Sequence, residues 1–290
     1  MATATINGTT LYYEETGTGP VCLVLHGGLG LDHTLYRDFD RLADRVRLVY
    51  YDQRANGRSG RPPLSTLTMP QLADDAAALA DHLGAAQVLV IGHSYGGFVA
   101  QELALRHPDR VAGLVLVDTT AGQLGSSDRP GDDQGPPVPA ELAAALASVP
   151  DSDDDMADGM SSLLRHYLHR LSPEQVAPRF ADVVFRADTM VRSMEALAGW
   201  SAADRLGTVT APTLVLVGRH DVVTAPAQAR RIARRIAGAH VVTFEHSGHL
   251  PWLEQPDEFF AVLRAWLDEV TEGAVSGTGS SMDGAVTLRR

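Results

Sequence analysis

Apolar residues fall along this chain in short runs: Leu11–Tyr13, Val21–Leu25, Val46–Tyr51, Val88–Ile91, Leu114–Val117, Thr213–Val217 and His240–Phe244. From the second run onward most lack strict alternation of apolar and polar positions, the mark of strands covered on both faces. Between many of them the spacing turns helical. Residues 69–83 (MPQLADDAAALADHL) open with a proline in the first turn and stop at Gly84. Residues 226–237 put Ala229, Ile232, Ala233 and Ile236 on one face and Arg230, Arg231, Arg234 and Arg235 on the wet one, with Gly238 as the stop. Residues 256–270 begin at Pro256 and repeat Phe259, Leu263, Trp266, Leu267 and Val270 at helical spacing. Strands alternating with helices predict an α/β fold, a mostly parallel sheet with helices on both faces.

One connection is too long for a simple crossover. Roughly 95 residues separate Val117 from Thr213, where about a dozen suffice. The surplus opens with a Gly, Asp and Pro loop (GDDQGPPVP), then gives an alanine-rich helical pattern, an acidic patch at Asp151–Asp155, and helical patterns at 159–171 and about 174–200. The chain therefore divides into a core at 1–121 and 204–272, a helical insert at 122–203 sitting on the sheet, and a small, polar, flexible tail at 273–290. The acidic patch lacks the spaced glycine and terminal glutamate of a calcium loop and is expected to be a solvated loop.

Composition narrows the function classes. The 290 residues are 44% hydrophobic and 21% charged, with a net charge of -12, which disfavours a nucleic-acid partner. A single cysteine, Cys22, excludes an internal disulfide and a cysteine-rich metal site, and its apolar neighbours predict a buried position. No apolar run approaches membrane-spanning length, and the first residues lack a signal-peptide pattern, so a cytoplasmic location is expected. The sequence sets no oligomeric state.

The candidate chemistry lies at the joint after Val88–Ile91, where Gly92-His93-Ser94-Tyr95-Gly96-Gly97 leads into a helical pattern. A serine in G-x-S-x-G between a buried strand and a helix is a nucleophile elbow: the serine takes a strained backbone conformation, its neighbours must be small, and the helix aims its positive end at a developing oxyanion. Such a serine needs a histidine base and an orienting acid, in the chain order Ser, Asp or Glu, His. Asp221 follows the run ending at Val217, and His249 follows the one ending at Phe244. Asp118 and His246 stand as alternatives for acid and base. The expected oxyanion donors are the backbone N–H groups of Tyr95 and of Gly28 in the loop His26-Gly27-Gly28-Leu29-Gly30. Leu29, Trp200 and Leu250 are the candidate substrate-binding residues. His93 is expected to point away from the serine in a structural role. No metal or organic cofactor is implied, and the expected partner is a small-molecule substrate.

With HGGLG at 26–30, YDQRANGRSG at 51–60, GHSYGG at 92–97, GRHD at 218–221 and SGHLPWLEQP at 247–256, the chain resembles the α/β-hydrolases, and within them the proline iminopeptidase-like branch. The resemblance implies the α/β-hydrolase fold with a helical cap inserted after the sixth core strand. It further implies a Ser94–His249–Asp221 hydrolase cleaving a small ester or amide through an acyl-enzyme. That branch more usually has proline at position 29, glycine at 55 and tryptophan at 95, where this chain has Leu29, Ala55 and Tyr95. An iminopeptidase needs cap carboxylates to meet a substrate ammonium, for which Glu141, Glu174 and Glu195 are available. A carboxylesterase or lactonase needs only an apolar cap surface, which Met156, Met160, Leu163, Leu164, Met190, Met194 and Trp200 can supply. A lyase or a ligand receptor on the same fold is the alternative from another class.

Overall fold

The computed structural model describes residues 1–122 and 138–276. Eight strands form one sheet in the order β1-β2-β4-β3-β5-β6-β7-β8. They are β1 (Ala2–Ile6), β2 (Thr9–Thr16), β3 (Val21–Leu25), β4 (Arg47–Tyr51), β5 (Val88–His93), β6 (Val111–Val117), β7 (Thr213–Gly218) and β8 (His240–Phe244). Only β2 runs antiparallel, to β1 on one side and β4 on the other; every remaining pair is parallel. The fold is that of a mostly parallel α/β sheet.

Every residue of β3, β5 and β7 is buried, because side chains of alternate residues enter two different cores. Leu23 and Leu25 pack with Leu72, Leu79, Val99, Leu103 and Ile232 on one face. Cys22 and Val24 pack with Phe39, Trp252, Phe259 and Trp266 on the other. The helices of the first face are α1 (Met69–His82), α2 (Tyr95–Arg106) and, later in the chain, Pro226–Ala233. Thr68 caps α1, its side chain accepting from the Gln71 N–H, and Gly84 follows at φ +72. Cys22 is a buried residue of the second core, and burial pushes its thiol up to about 12.

Between β6 and β7 lie α3 (Ala140–Ala147), α4 (Asp153–Tyr167), α5 (Pro173–Val176) and α6 (Ala187–Leu197). The acidic patch is not a loop: Asp153, Asp154 and Asp155 form the first turn of α4. Ser152 caps that turn by accepting from the Asp155 N–H at 3.1 Å, and the helix dipole favours carboxylates there. The helical pattern at about 174–200 is interrupted, passing through extended backbone before α6. Most of the GDDQGPPVP loop lies outside the described residues. After β7 come α7 (Pro226–Ala233), then α8 (Pro251–Glu254) and α9 (Pro256–Ser276) after β8. Helix α9 runs past the expected start of the tail at 273, and residues 277–290 lie outside the described residues. No helix among the described residues is long and apolar enough to cross a membrane.

Candidate active site

The carboxyl ends of β5, β7 and β8 bring Ser94, Asp221 and His249 to one edge of the sheet, the edge at which open α/β sheets place their ligands. Ser94 has φ +49 and ψ -114, a conformation costly for a residue with a side chain. Its backbone is fixed from three sides. Its N–H donates to Val117 O at 2.9 Å, and its carbonyl accepts from Thr119 Oγ1 at 2.8 Å and from the Gly97 N–H at 2.9 Å. The small neighbours are required by space. A Cβ on Gly92 would stand 2.5 Å from Gly96 O, and one on Gly96 would stand 2.0 Å from Leu25 O.

His249 Nδ1 donates to Asp221 Oδ2 at 2.8 Å, with both side chains buried. Asp221 accepts three further bonds: Oδ1 from the N–H groups of Val223 and Thr224 at 2.7 and 2.9 Å, and Oδ2 from Thr224 Oγ1 at 2.5 Å. Burial alone raises a carboxyl pKa. Here the His249 imidazole and the Thr224 bonds outweigh it and hold Asp221 well below the usual carboxylate range. The acid is therefore ionised.

Asp118, the alternative acid, is also buried, and its φ is +41. Its Oδ1 accepts from the Gly218 N–H at 2.9 Å rather than from His249, and its Oδ2 is buried without a hydrogen-bond partner. Burial, then the nearby Asp221 charge, pushes its carboxyl well above the usual range. A protonated Asp118 thus has an O–H to offer Asp221. Atoms of Asp118, Asp221 and His249 able to ligate a cation lie within 4.8 Å of one another, and Asp221 and His249 are hydrogen-bonded to each other. His246, the alternative base, is exposed, and its N–H donates to Gln255 Oε1 at 2.7 Å.

Ser94 and His249 line one cleft, together with Gly27, Gly28, Leu31, Leu35, Tyr36, His93, Met160, Tyr167, Phe180 and Leu250. Gly28 has φ +74, and Tyr95 begins α2, where a backbone N–H has no partner within the helix. Of the candidate substrate-binding residues, only Leu250 lines the cleft. Leu29 packs against the first core instead. Trp200 is drawn away because its Nε1 donates to Glu102 Oε2 at 2.9 Å and its ring leans on Phe98. Of the apolar residues expected from the inserted segment, Met160 reaches the cleft, whereas Met156 is buried against Leu31, Val183 and Ala187.

The three candidate glutamates face solvent. The Glu141 side chain is 73% exposed and pairs with Arg165, that of Glu195 is 61% exposed and pairs with Arg192, and Glu174 is exposed. No carboxylate lines the cleft among the described residues.

Several hydrogen bonds tie the segment between β6 and β7 to the loops around the cleft, among them two groups on opposite sides. The Arg186 N–H donates to Gly30 O at 2.8 Å, and a Cβ on Gly30 would stand 2.3 Å from Arg186 O. On the other side, Glu254 Oε1 accepts from the N–H groups of His169, Arg170 and Leu171, while its Oε2 accepts from the Gly248 N–H at 2.6 Å. The motif at 51–60 braces the loops from below: Asp52 Oδ1 meets His33 Nδ1 at 2.5 Å, and Arg54 forms a buried ion pair with Asp75. Ala55, where the branch more usually has glycine, sits at φ +65. Tyr36, Tyr167, Phe180 and Glu254 were not among the sequence candidates. Glu254 stands in the quoted SGHLPWLEQP motif, but nothing local signals its reach to residues 169–171.

A family model described as alpha/beta hydrolase fold matches residues 20–256. The chain belongs to the alpha/beta hydrolase fold family. It is similar to a proline iminopeptidase of Saccharolobus solfataricus, 25% identical and covering 91% of each chain. Among solved structures it is similar to a thermophilic esterase from Thermogutta terrifontis, 29% identical with a TM-score of 0.71, covering 92% of this chain and 97% of that one. It is likewise similar to the enol-lactonase from Burkholderia xenovorans, 28% identical with a TM-score of 0.75, covering 92% and 100%.

Proposed function

We propose that the chain is a serine hydrolase acting on small, uncharged esters or lactones through an acyl-enzyme. Ser94 Oγ attacks the carbonyl carbon while His249 Nε2 takes its proton, and the N–H groups of Gly28 and Tyr95 receive the oxyanion. His249 then protonates the leaving oxygen. Water, deprotonated by the same imidazole, releases the acid. Asp221 holds the imidazole with Nδ1 protonated and stabilises the imidazolium, a role its ionised state suits. In this reading the described residues of the 122–203 insert form a cap over Ser94, supplying Met160, Tyr167 and Phe180.

The observation that carries the substrate class is the cleft lining: apolar side chains surround Ser94, and the described lining has no carboxylate to meet an ammonium. The similarity to an esterase and an enol-lactonase supports the same choice. Sequence similarity to a proline iminopeptidase supports the second reading, an N-terminal peptidase, but Glu141, Glu174 and Glu195 face away from the cleft's chemistry into solvent.

A side-by-side assay of short-chain aryl esters, lactones and proline arylamides tests this. Esters or lactones should be turned over with the higher kcat/KM, and Ser94→Ala should lower kcat on the order of 10^6-fold. Preferred cleavage of the free-amine arylamide would overturn the substrate class. Turnover that survives Ser94→Ala would overturn the mechanism.

A further inference from the structure

His93 precedes the nucleophile, and its buried ring takes part in a chain of polar groups. The Gly27 N–H donates to Tyr36 Oη at 2.6 Å, Tyr36 Oη lies 2.7 Å from His93 Nδ1, and His93 Nε2 lies 3.0 Å from the His249 carbonyl oxygen. The directions follow from the carbonyl end. The His249 carbonyl can only accept, so His93 Nε2 carries a proton; in a neutral ring Nδ1 is then bare and takes the Tyr36 proton, while Tyr36 Oη accepts from the Gly27 N–H. Each group is used once, and only a neutral imidazole closes the chain.

The two ends of this chain lie in different halves of the site. Gly27 adjoins Gly28, the proposed oxyanion donor, and the carbonyl belongs to His249, the proposed base. The space is committed as well. A Cβ on Gly27 would stand 2.5 Å from His93 Nδ1 and 2.9 Å from Tyr36 Oη. The His93 ring lies 4.7 Å from the His249 ring and 4.7 Å, edge to face, from Trp252. We infer that His93 is a positioning residue, held as the neutral Nε2–H tautomer by Tyr36, which fixes the oxyanion loop and the backbone of the base in one register.

Burial, with the neighbouring His249, pushes the His93 imidazole well below its ordinary value, in keeping with a ring that has no use for a second proton. A protonated His93 leaves two donors converging on Tyr36 Oη and strands the phenol proton. It also sets a cation beside an imidazole that must itself become charged during turnover.

The inference rests on Ser94 and His249 acting as nucleophile and base, and the test separates the two. Tyr36→Phe keeps the ring and removes only the oxygen, leaving the Gly27 N–H and His93 Nδ1 without their partner. On an aryl ester, with active sites titrated by a fluorophosphonate, it should lower kcat by about 100-fold with KM little changed, the signature of misplaced groups. Affinity for an aryl boronic acid, which mimics the tetrahedral oxyanion, should weaken in parallel. His93→Gln should lower kcat too, and the double variant should be no worse than the poorer single one, because the chain acts as a unit. Nitrogen-15 spectra of histidine-labelled enzyme should contain an Nε2–H neutral ring that does not titrate over the active pH range and that Tyr36→Phe alters. Full kcat in Tyr36→Phe, additive losses, or an Nδ1–H tautomer at His93 overturns the inference. If Ser94→Ala keeps its activity, the underlying mechanism has failed instead.

Discussion

Asp221 Oδ2 accepts the Nδ1–H of His249 at 2.8 Å, while Asp118, buried beside them, spends its one engaged oxygen on the Gly218 N–H. Two carboxyl groups follow neighbouring strands, and only one of them orients the imidazole. Asp221→Asn should preserve the fold and lower kcat by about 10^4-fold, because the amide favours the wrong tautomer. Asp118→Asn should keep most of the activity. Kinetics with the roles reversed, Asp118→Asn being the damaging change, would place the acid after β6.

The same pair predicts opposite responses of stability to pH. Asp118 is held protonated above the usual carboxylate range, so the folded chain binds a proton that the unfolded chain releases above about pH 3.9. Its contribution is complete below that pH and is lost as pH rises toward the folded value. Asp221 is depressed, so its contribution is present above about pH 3.9 and is lost as pH falls through the folded value. Asp118→Asn should remove the first trend, flattening the decline in urea-unfolding stability as pH rises above about 3.9. An unchanged slope would mean that Asp118 is ionised in the folded protein.

Two glycines make a contrast in steric demand. A Cβ on Gly96 meets Leu25 O at 2.0 Å, whereas one on Gly159, exposed within α4, meets nothing within 4 Å. Gly96→Ala should therefore give little folded, active protein. Gly159→Ala should stabilise by about 0.8–1 kcal/mol through helix propensity alone. Thermal melts of the two variants decide the matter: a lower Tm for Gly159→Ala would contradict the open space assigned there.

Selectivity should follow the cleft rather than the whole inserted segment. Met160→Ala and Phe180→Ala open space beside Ser94 and should favour longer acyl chains, by about 1–3 kcal/mol of discrimination per methylene accommodated. Trp200→Ala should lower Tm, since it removes one donor from the buried Glu102, leaving Arg205 as its partner, and uncovers Phe98, while leaving the ratio of kcat/KM between chain lengths unchanged. Equal shifts in that ratio for all three variants would refute this map of the cleft.

The parallel core was legible because buried strands carry their signal locally, as in Val88–Ile91 before the serine. The antiparallel edge was harder. Strand β1 is the weak alternation Ala2, Ala4, Ile6, and its best signal is the Asn7-Gly8 pair, both at positive φ (46° and 75°), which joins β1 to β2 as a two-residue hairpin. Ser94, Asp221 and His249 could be named because each closely follows a strand whose position the pattern sets. Leu29 and Trp200 could not be placed, since their orientation depends on partners far along the chain, Glu102 for Trp200. Tyr36, Tyr167 and Phe180 reach the cleft only through tertiary packing, and no local spacing marks them.

Glu254 holds three consecutive amides of residues 169–171 with one carboxylate oxygen and the Gly248 amide, next to His249, with the other. The His249 N–H itself donates to Tyr167 O at 2.7 Å, on the same stretch. If His249 is the base, as proposed above, lifting that stretch would break the hydrogen bonds that seat its backbone. A molecule opened at this point would then hold its serine without an aligned imidazole, and closing the site and arming the serine would be a single event.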